Sequence, residues 1–121
     1  MNNAKNPKQY DLEERTFQFA KDVRLFIKKL PKTLTIIEDG KQLIRSSGSV
    51  GANYIEANEA LSKKDFVYRI RVCRKETKES NLWLRLLDTG ANDSLIREKQ
   101  TLIDEAIELR KIYSSIFNKS N

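Results

Sequence analysis

The feature that most constrains this chain is a helical register that runs unbroken through a stretch composed like a loop. Residues 45–57 read RSSGSVGANYIEA, with two glycines, three serines and an asparagine. Such clusters ordinarily mark turns. Yet, counted from Thr33, the positions Leu34, Ile37, Leu43, Ile44, Ser47, Val50, Gly51, Tyr54, Ala57 and Leu61 stay on one side of a helix, and the phase does not reset at Gly48–Gly51. A loop does not keep a 3.6-residue period, so the spacing predicts one helix over 33–59. At about 100° per residue, Arg45, Ser49, Asn53 and Glu56 fall within about 80° of one another, opposite that apolar face. They form an ordered polar row, a candidate contact with another subunit or another helix. Gly40, Gly48 and Gly51 together forgo roughly 3 kcal/mol of helix propensity. Small side chains let a second backbone approach closely, so Gly48, Gly51 and Ala52 are candidate close-packing positions against a helix, a subunit or a ligand. A kink at Gly48–Ser49 is the other option.

Three further helices are bounded by stop and cap signals. Asp11 stands before Leu12-Glu13-Glu14 as an N-cap, and Thr16, Phe19, Ala20, Val23, Phe26, Ile27 and Leu30 follow at helical spacing until Pro31. Ser62 and Asp65 form a variant capping box ahead of Phe66, Ile70, Cys73, Thr77, Leu84 and Leu87, widened by Val67, Leu82, Trp83 and Leu86, and Gly90 is placed to close that helix. Asn92 or Asp93 caps a last helix carrying Leu95, Leu102, Ala106, Leu109, Tyr113 and Ile116. No segment alternates as a strand would. One domain of 121 residues with four helices, one short and three long, and short turns predicts an all-α, antiparallel up-down four-helix bundle over 10–118. Residues 1–9 are expected to be a flexible tail and 119–121 to fray.

The net charge of +6 is unevenly spread. Residues 63–90 hold eight Lys/Arg against four Asp/Glu, while residues 91–121 hold five of each. On the third helix Arg71, Lys75, Lys78 and Arg85 recur along one ridge, with Lys64 and Arg74 beside it and Arg69 further round. A local basic excess favours a polyanion such as RNA or DNA. Glu76 and Glu79 interrupt the field, and an i,i+4 pair such as Lys75–Glu79 would make the ridge an ordinary solvated face.

Much chemistry is missing. The chain has no histidine and a single cysteine, Cys73, which sits on the apolar stripe. That removes histidine-based acid–base and nucleophile systems, Glu-x-x-His iron sites and a cysteine zinc site within one chain. Gly48-Ser49-Val50-Gly51 lacks the following Gly-Lys of a phosphate loop, and a KH-type GxxG needs strands this sequence lacks. Glu56, Glu59, Glu76 and Glu79 are more readily solvated or paired than metal-binding, so no metal and no cofactor are expected. No apolar run reaches the ~20 residues of a membrane span, and no secretory signal is visible in residues 1–9. The expected setting is cytoplasmic.

RSSGSVGANYIEA (45–57), followed by ALSKKDFVYRIRVCRKETKESNLWLRLL (60–87) and preceded by FAKDVRLFIKKLPK (19–32), resembles the 23S rRNA intervening-sequence protein family of four-helix bundles. The resemblance covers roughly 10–117, with Gly48 and Thr77 departing from the usual pattern. It implies an up-down bundle assembled as a barrel-like homopentamer, with no enzymatic activity. It also implies kinship with the accessory variability determinant proteins of diversity-generating retroelements, which engage RNA or DNA and a reverse transcriptase through a basic surface. The nucleic-acid-binding residues expected here are then Lys64, Arg71, Arg74, Lys75, Lys78 and Arg85. A structural or protein-interaction bundle without a nucleic-acid ligand is the alternative.

Overall fold

A computed structural model describes the backbone of residues 7–121 and the side chains from Leu12 onward. It contains four helices: α1 (Pro7–Lys28), α2 (Leu34–Asn58), α3 (Lys63–Leu86) and α4 (Asp93–Ser120). They are 22, 25, 24 and 28 residues long, so none is short, contrary to expectation. No strand occurs among the described residues. Each helix packs on its sequence neighbours, and α4 closes against α1. The cross-helix bonds descend on one helix as they ascend on the other. Arg15 meets Glu105 while Lys29 meets Glu98, and Arg45 meets Glu79 while Arg69 meets Asn53. That order makes the neighbours antiparallel.

α2 is one continuous helix through Gly48–Gly51, with no break at Gly48–Ser49. Thr33 caps it by accepting from the Ile36 amide at 3.4 Å. Ser62 accepts from the Asp65 amide at 3.1 Å and Asn92 from the Leu95 amide at 3.0 Å, so side-chain caps start α3 and α4 as well. These bonds satisfy amides that a helix start leaves without partners.

The core draws one stripe from each helix, including Phe19, Val23 and Phe26; Leu43, Val50 and Tyr54; Ile70, Cys73 and Leu84; and Leu102, Leu109 and Tyr113. Tyr54 and Tyr113 meet edge to face at 5.6 Å, and the Tyr113 hydroxyl shares a 2.9 Å hydrogen bond with Thr16 across the bundle. Burial raises the Tyr113 phenol well above its ordinary range. The two buried serines Ser46 and Ser80 share a 2.8 Å bond between α2 and α3, and the Ser80 hydroxyl also reaches the Glu76 carbonyl at 2.9 Å.

Several local expectations fail for identifiable reasons. The backbone is already helical at Pro7, so Asp11 lies inside α1 and does not cap it; proline suits a first helical position. Of the expected tail, residues 7–9 belong to α1 and residues 1–6 lie outside the described residues. α4 continues to Ser120. Leu34, Ile37 and Leu61 are exposed although they share the phase of the α2 core. Leu34 opens α2 and Leu61 lies beyond it, where no helix covers them, and Ile36 is buried instead. α3 ends at Leu86, four residues before Gly90. The Lys99 ammonium on α4 donates to the carbonyls of Arg85 (3.0 Å) and Leu87 (2.7 Å) and so takes the capping role assigned to Gly90. Gly90 instead supplies a turn residue at φ 62°, a conformation that favours glycine.

Candidate functional site

The stretch 45–57 presents two different edges. Its glycines face α1: an added Cβ would sit 3.3 Å from Arg24 Nη2 at Gly48 and 3.6 Å from Thr16 Cγ2 at Gly51. Gly40 likewise faces Ile27, at 3.6 Å. Within the chain, the helix approached by the small residues is therefore α1. Ala52 is exposed rather than packed. Above it lies a groove of about 610 Å³ between α1 and α2, with Gly48, Gly51 and Ala20 among its lining and Phe17 and Ile55 exposed.

The polar row turns the other way, to α3. Arg45 reaches Glu76 with Nη2–Oε1 at 3.3 Å and Nη1–Oε2 at 3.4 Å, and reaches Glu79 at 3.1 Å. The Ser49 hydroxyl donates to Glu76 at 3.4 Å, and Asn53 Nδ2 donates to Ser49 Oγ at 3.1 Å and to its carbonyl at 2.9 Å. Arg69 Nη1 then donates to Asn53 Oδ1 at 2.9 Å. Arg45, Ser49 and Asn53 thus join one ladder of alternating donors and acceptors along the α2–α3 seam. Glu56 is exposed and stands outside it. Glu76 is only 5% exposed, and its hydrogen bonds to Arg45 raise that guanidinium above its already high ordinary value.

Glu76 and Glu79 were expected to break up the basic ridge, but both bond to Arg45. Lys75 and Glu79 do not pair, and Lys64, Arg71, Arg74, Lys75, Lys78 and Arg85 make no ion pair among the described residues. Arg71, Arg74, Lys75 and Lys78 converge on one shallow groove of about 430 Å³ together with Tyr68 and Val72. Lys64 and Arg85 are exposed near the two ends of α3 and do not line it. Arg74 is half-buried, its guanidinium 4.4 Å from the centre of the Phe117 ring on α4, so it reaches the groove from a held position. Counting charges along the sequence missed two things. Glu76 shares the inward phase of Cys73 and Ser80, and Tyr68 shares the outward phase of Arg71 and Lys75. Helical phase carried both signals.

Residues 8–115 match the sequence profile of the 23S rRNA-intervening sequence protein family. The chain belongs to this family. Its fold is similar to the crystal structure of a protein of unknown function from the S23 ribosomal protein family of Bacteroides thetaiotaomicron, with a TM-score of 0.76 and 25% identity. The likeness covers 92% of this chain and 98% of that one. No curated protein matches the chain. The RSSGSVGANYIEA stretch on which the family resemblance rests thus lies on α2, as core, α1 contact and α3 ladder, whereas Arg71, Lys75 and Lys78, which make no ion pair among the described residues, lie on the outer face of α3.

The remaining chemistry is sparse. Cys73 is buried, its thiol 3.4 Å from the Val50 carbonyl, and burial pushes that thiol up to about 12, far from the range of a reactive thiolate. Among the described residues no three His, Cys, Asp or Glu side chains group as a metal site would. No described helix is long and apolar enough to cross a membrane.

Proposed function

We propose that the chain is a non-enzymatic adaptor that meets the phosphate backbone of RNA or DNA along the outer face of α3. The observation that carries this reading is the division of charge on that helix. Glu76 and Glu79 are held by Arg45, while Arg71, Lys75 and Lys78 point outward without counter-charges among the described residues. Phosphate oxygens supply those counter-charges, and releasing condensed ions from the nucleic acid drives the association. Such contacts position a strand and read its sequence weakly.

The family resemblance adds a homopentamer to the proposal. Five copies of a modestly positive strip would make a strongly positive ring. Light scattering at fivefold chain mass supports it; a monomer at high concentration removes it. A reverse transcriptase is the protein partner that the same resemblance implies, and co-purification tests it.

Binding is tested by fluorescence anisotropy of a labelled RNA at about 50 and about 200 mM salt. With three phosphates contacted per chain, affinity should fall roughly 20-fold over that range. No binding at the lower salt would contradict the proposal. It would leave a protein-interaction bundle, a reading favoured by the apolar α1–α2 groove with its exposed Phe17 and Ile55.

A further inference from the structure

Tyr68 is 57% exposed, and its side chain shares a groove with Arg71, Arg74, Lys75 and Lys78. Isolated exposed aromatics are ordinary on a protein surface. Tyr68 differs from Phe17 and Ile55 in its surroundings: four cations and one valine line its groove, with no Asp or Glu among them. The ring is also backed. The Arg69 guanidinium lies 5.5 Å from its centroid, and Arg69 is itself tied to Asn53 of α2 by a 2.9 Å hydrogen bond. That anchor limits the ring's freedom on one side, while its exposure leaves the rest of it open to solvent.

We infer that Tyr68 is a stacking platform for an unpaired base, and hence that the strip takes single-stranded rather than duplex nucleic acid. The inference rests on the nucleic-acid reading above and specifies its ligand. A single strand offers phosphates and open base faces side by side, and Tyr68 lies about 15 Å along the helix axis from Lys78, a span over which both can be engaged. In a duplex every base face is already covered by its neighbours, so an outward tyrosine on a single helix gains nothing there. Aromatic stacking adds to the backbone attraction for any base, so the preference is for strandedness and not for sequence.

The probes are a labelled oligouridylate of about 12 nucleotides, its deoxythymidylate counterpart, and a duplex of about equal length, all at low salt. The wild-type chain should bind both single strands at least about fivefold more tightly than the duplex. Tyr68→Ala should lower single-strand affinity at least about fivefold and leave duplex affinity unchanged, while Tyr68→Phe and Tyr68→Trp keep it. Because Tyr68 is exposed, these variants should melt as the wild type does, which a thermal scan checks. Equal affinity for strand and duplex, or a Tyr68→Ala chain that binds oligouridylate as the wild type does, overturns the inference while leaving the basic strip intact. If a chain carrying Arg71→Glu, Lys75→Glu and Lys78→Glu binds every probe as the wild type does, the strip itself is wrong and both readings fall. Weaker binding of the deoxythymidylate than of the oligouridylate assigns the strand to RNA, and equal binding leaves the single-strand inference standing for either sugar.

Discussion

The two edges of α3 both carry charge and use it in opposite ways. On the edge facing α2, Arg69 donates to Asn53, Glu76 accepts from Ser49 and Arg45, and Glu79 accepts from Arg45, all across the seam. On the outer edge, Arg71, Lys75 and Lys78 have none among the described residues. The lesson is that a basic surface here comes less from the count of lysines and arginines than from where the acids go. Were Glu76 and Glu79 turned outward, they would offset two of the four cations that line the groove.

The comparison is broken most severely by reversing the outer edge. A chain with Arg71→Glu, Lys75→Glu and Lys78→Glu should bind RNA about 100-fold more weakly or worse, by anisotropy, yet keep a near wild-type melting curve, because exposed substitutions away from packed features change little. The seam should answer in the other currency. Glu76→Ala removes the acceptor of Arg45 and Ser49 from a buried site and should lower stability by about 1–2 kcal/mol in urea unfolding, the upper range being damped because Arg45 is half-exposed. It should also leave Glu79 as the sole acid beside Arg45. Arg71→Ala, on the outer edge, should stay within about 0.5 kcal/mol of the wild type. If the two single changes cost the same, the seam and the strip are not distinct.

How much of this was legible beforehand depends on phase more than on residue type. The long α2 helix could be read because ten positions kept one register, and a register is a property of many residues that no single glycine overrides. The bundle followed from few breakers and short turns. Glu76 was misjudged because its carboxylate argued for solvent while its position, three residues after Cys73, argued for the interior, and the interior offered Arg45 and Ser49 as partners. Tyr68 went unnoticed because charge was counted and aromatic residues were assigned to the core. Asp11 is a good cap type, but a helix begins where the chain first takes helical dihedrals, and Pro7 already does. Gly90 has the right residue type for a helix end, yet Lys99, which no local pattern could link to α3, reaches the last carbonyls.

Two smaller effects sharpen the contrast between the α1 and α3 sides of α2. Gly51→Ala adds a methyl at an ordinary contact distance from Thr16, so the gain in helix propensity should dominate and raise stability by about 1 kcal/mol. Destabilisation would mean that α1 and α2 pack more tightly than their separation implies. Cys73 sits under the α3 edge of the same helix, with its thiol pushed up from an ordinary 9.0 to about 12. The folded state keeps it neutral where the unfolded chain would ionise, so its contribution to stability is complete below about pH 9 and is lost as pH rises towards 12. At pH near 8 a thiol reagent should label the urea-unfolded chain rapidly and the folded chain slowly; equal rates would place Cys73 outside the core.

The most direct test of the division of charge is lysine footprinting of the folded chain with and without RNA, using an acylating reagent and peptide mass analysis. Bound RNA should protect Lys75 and Lys78 while Lys21 in the α1–α2 groove, Lys41 on α2 and Lys111 on α4 react as before. Protection of Lys21 with Lys75 and Lys78 unchanged would place the polyanion in the α1–α2 groove and contradict the account.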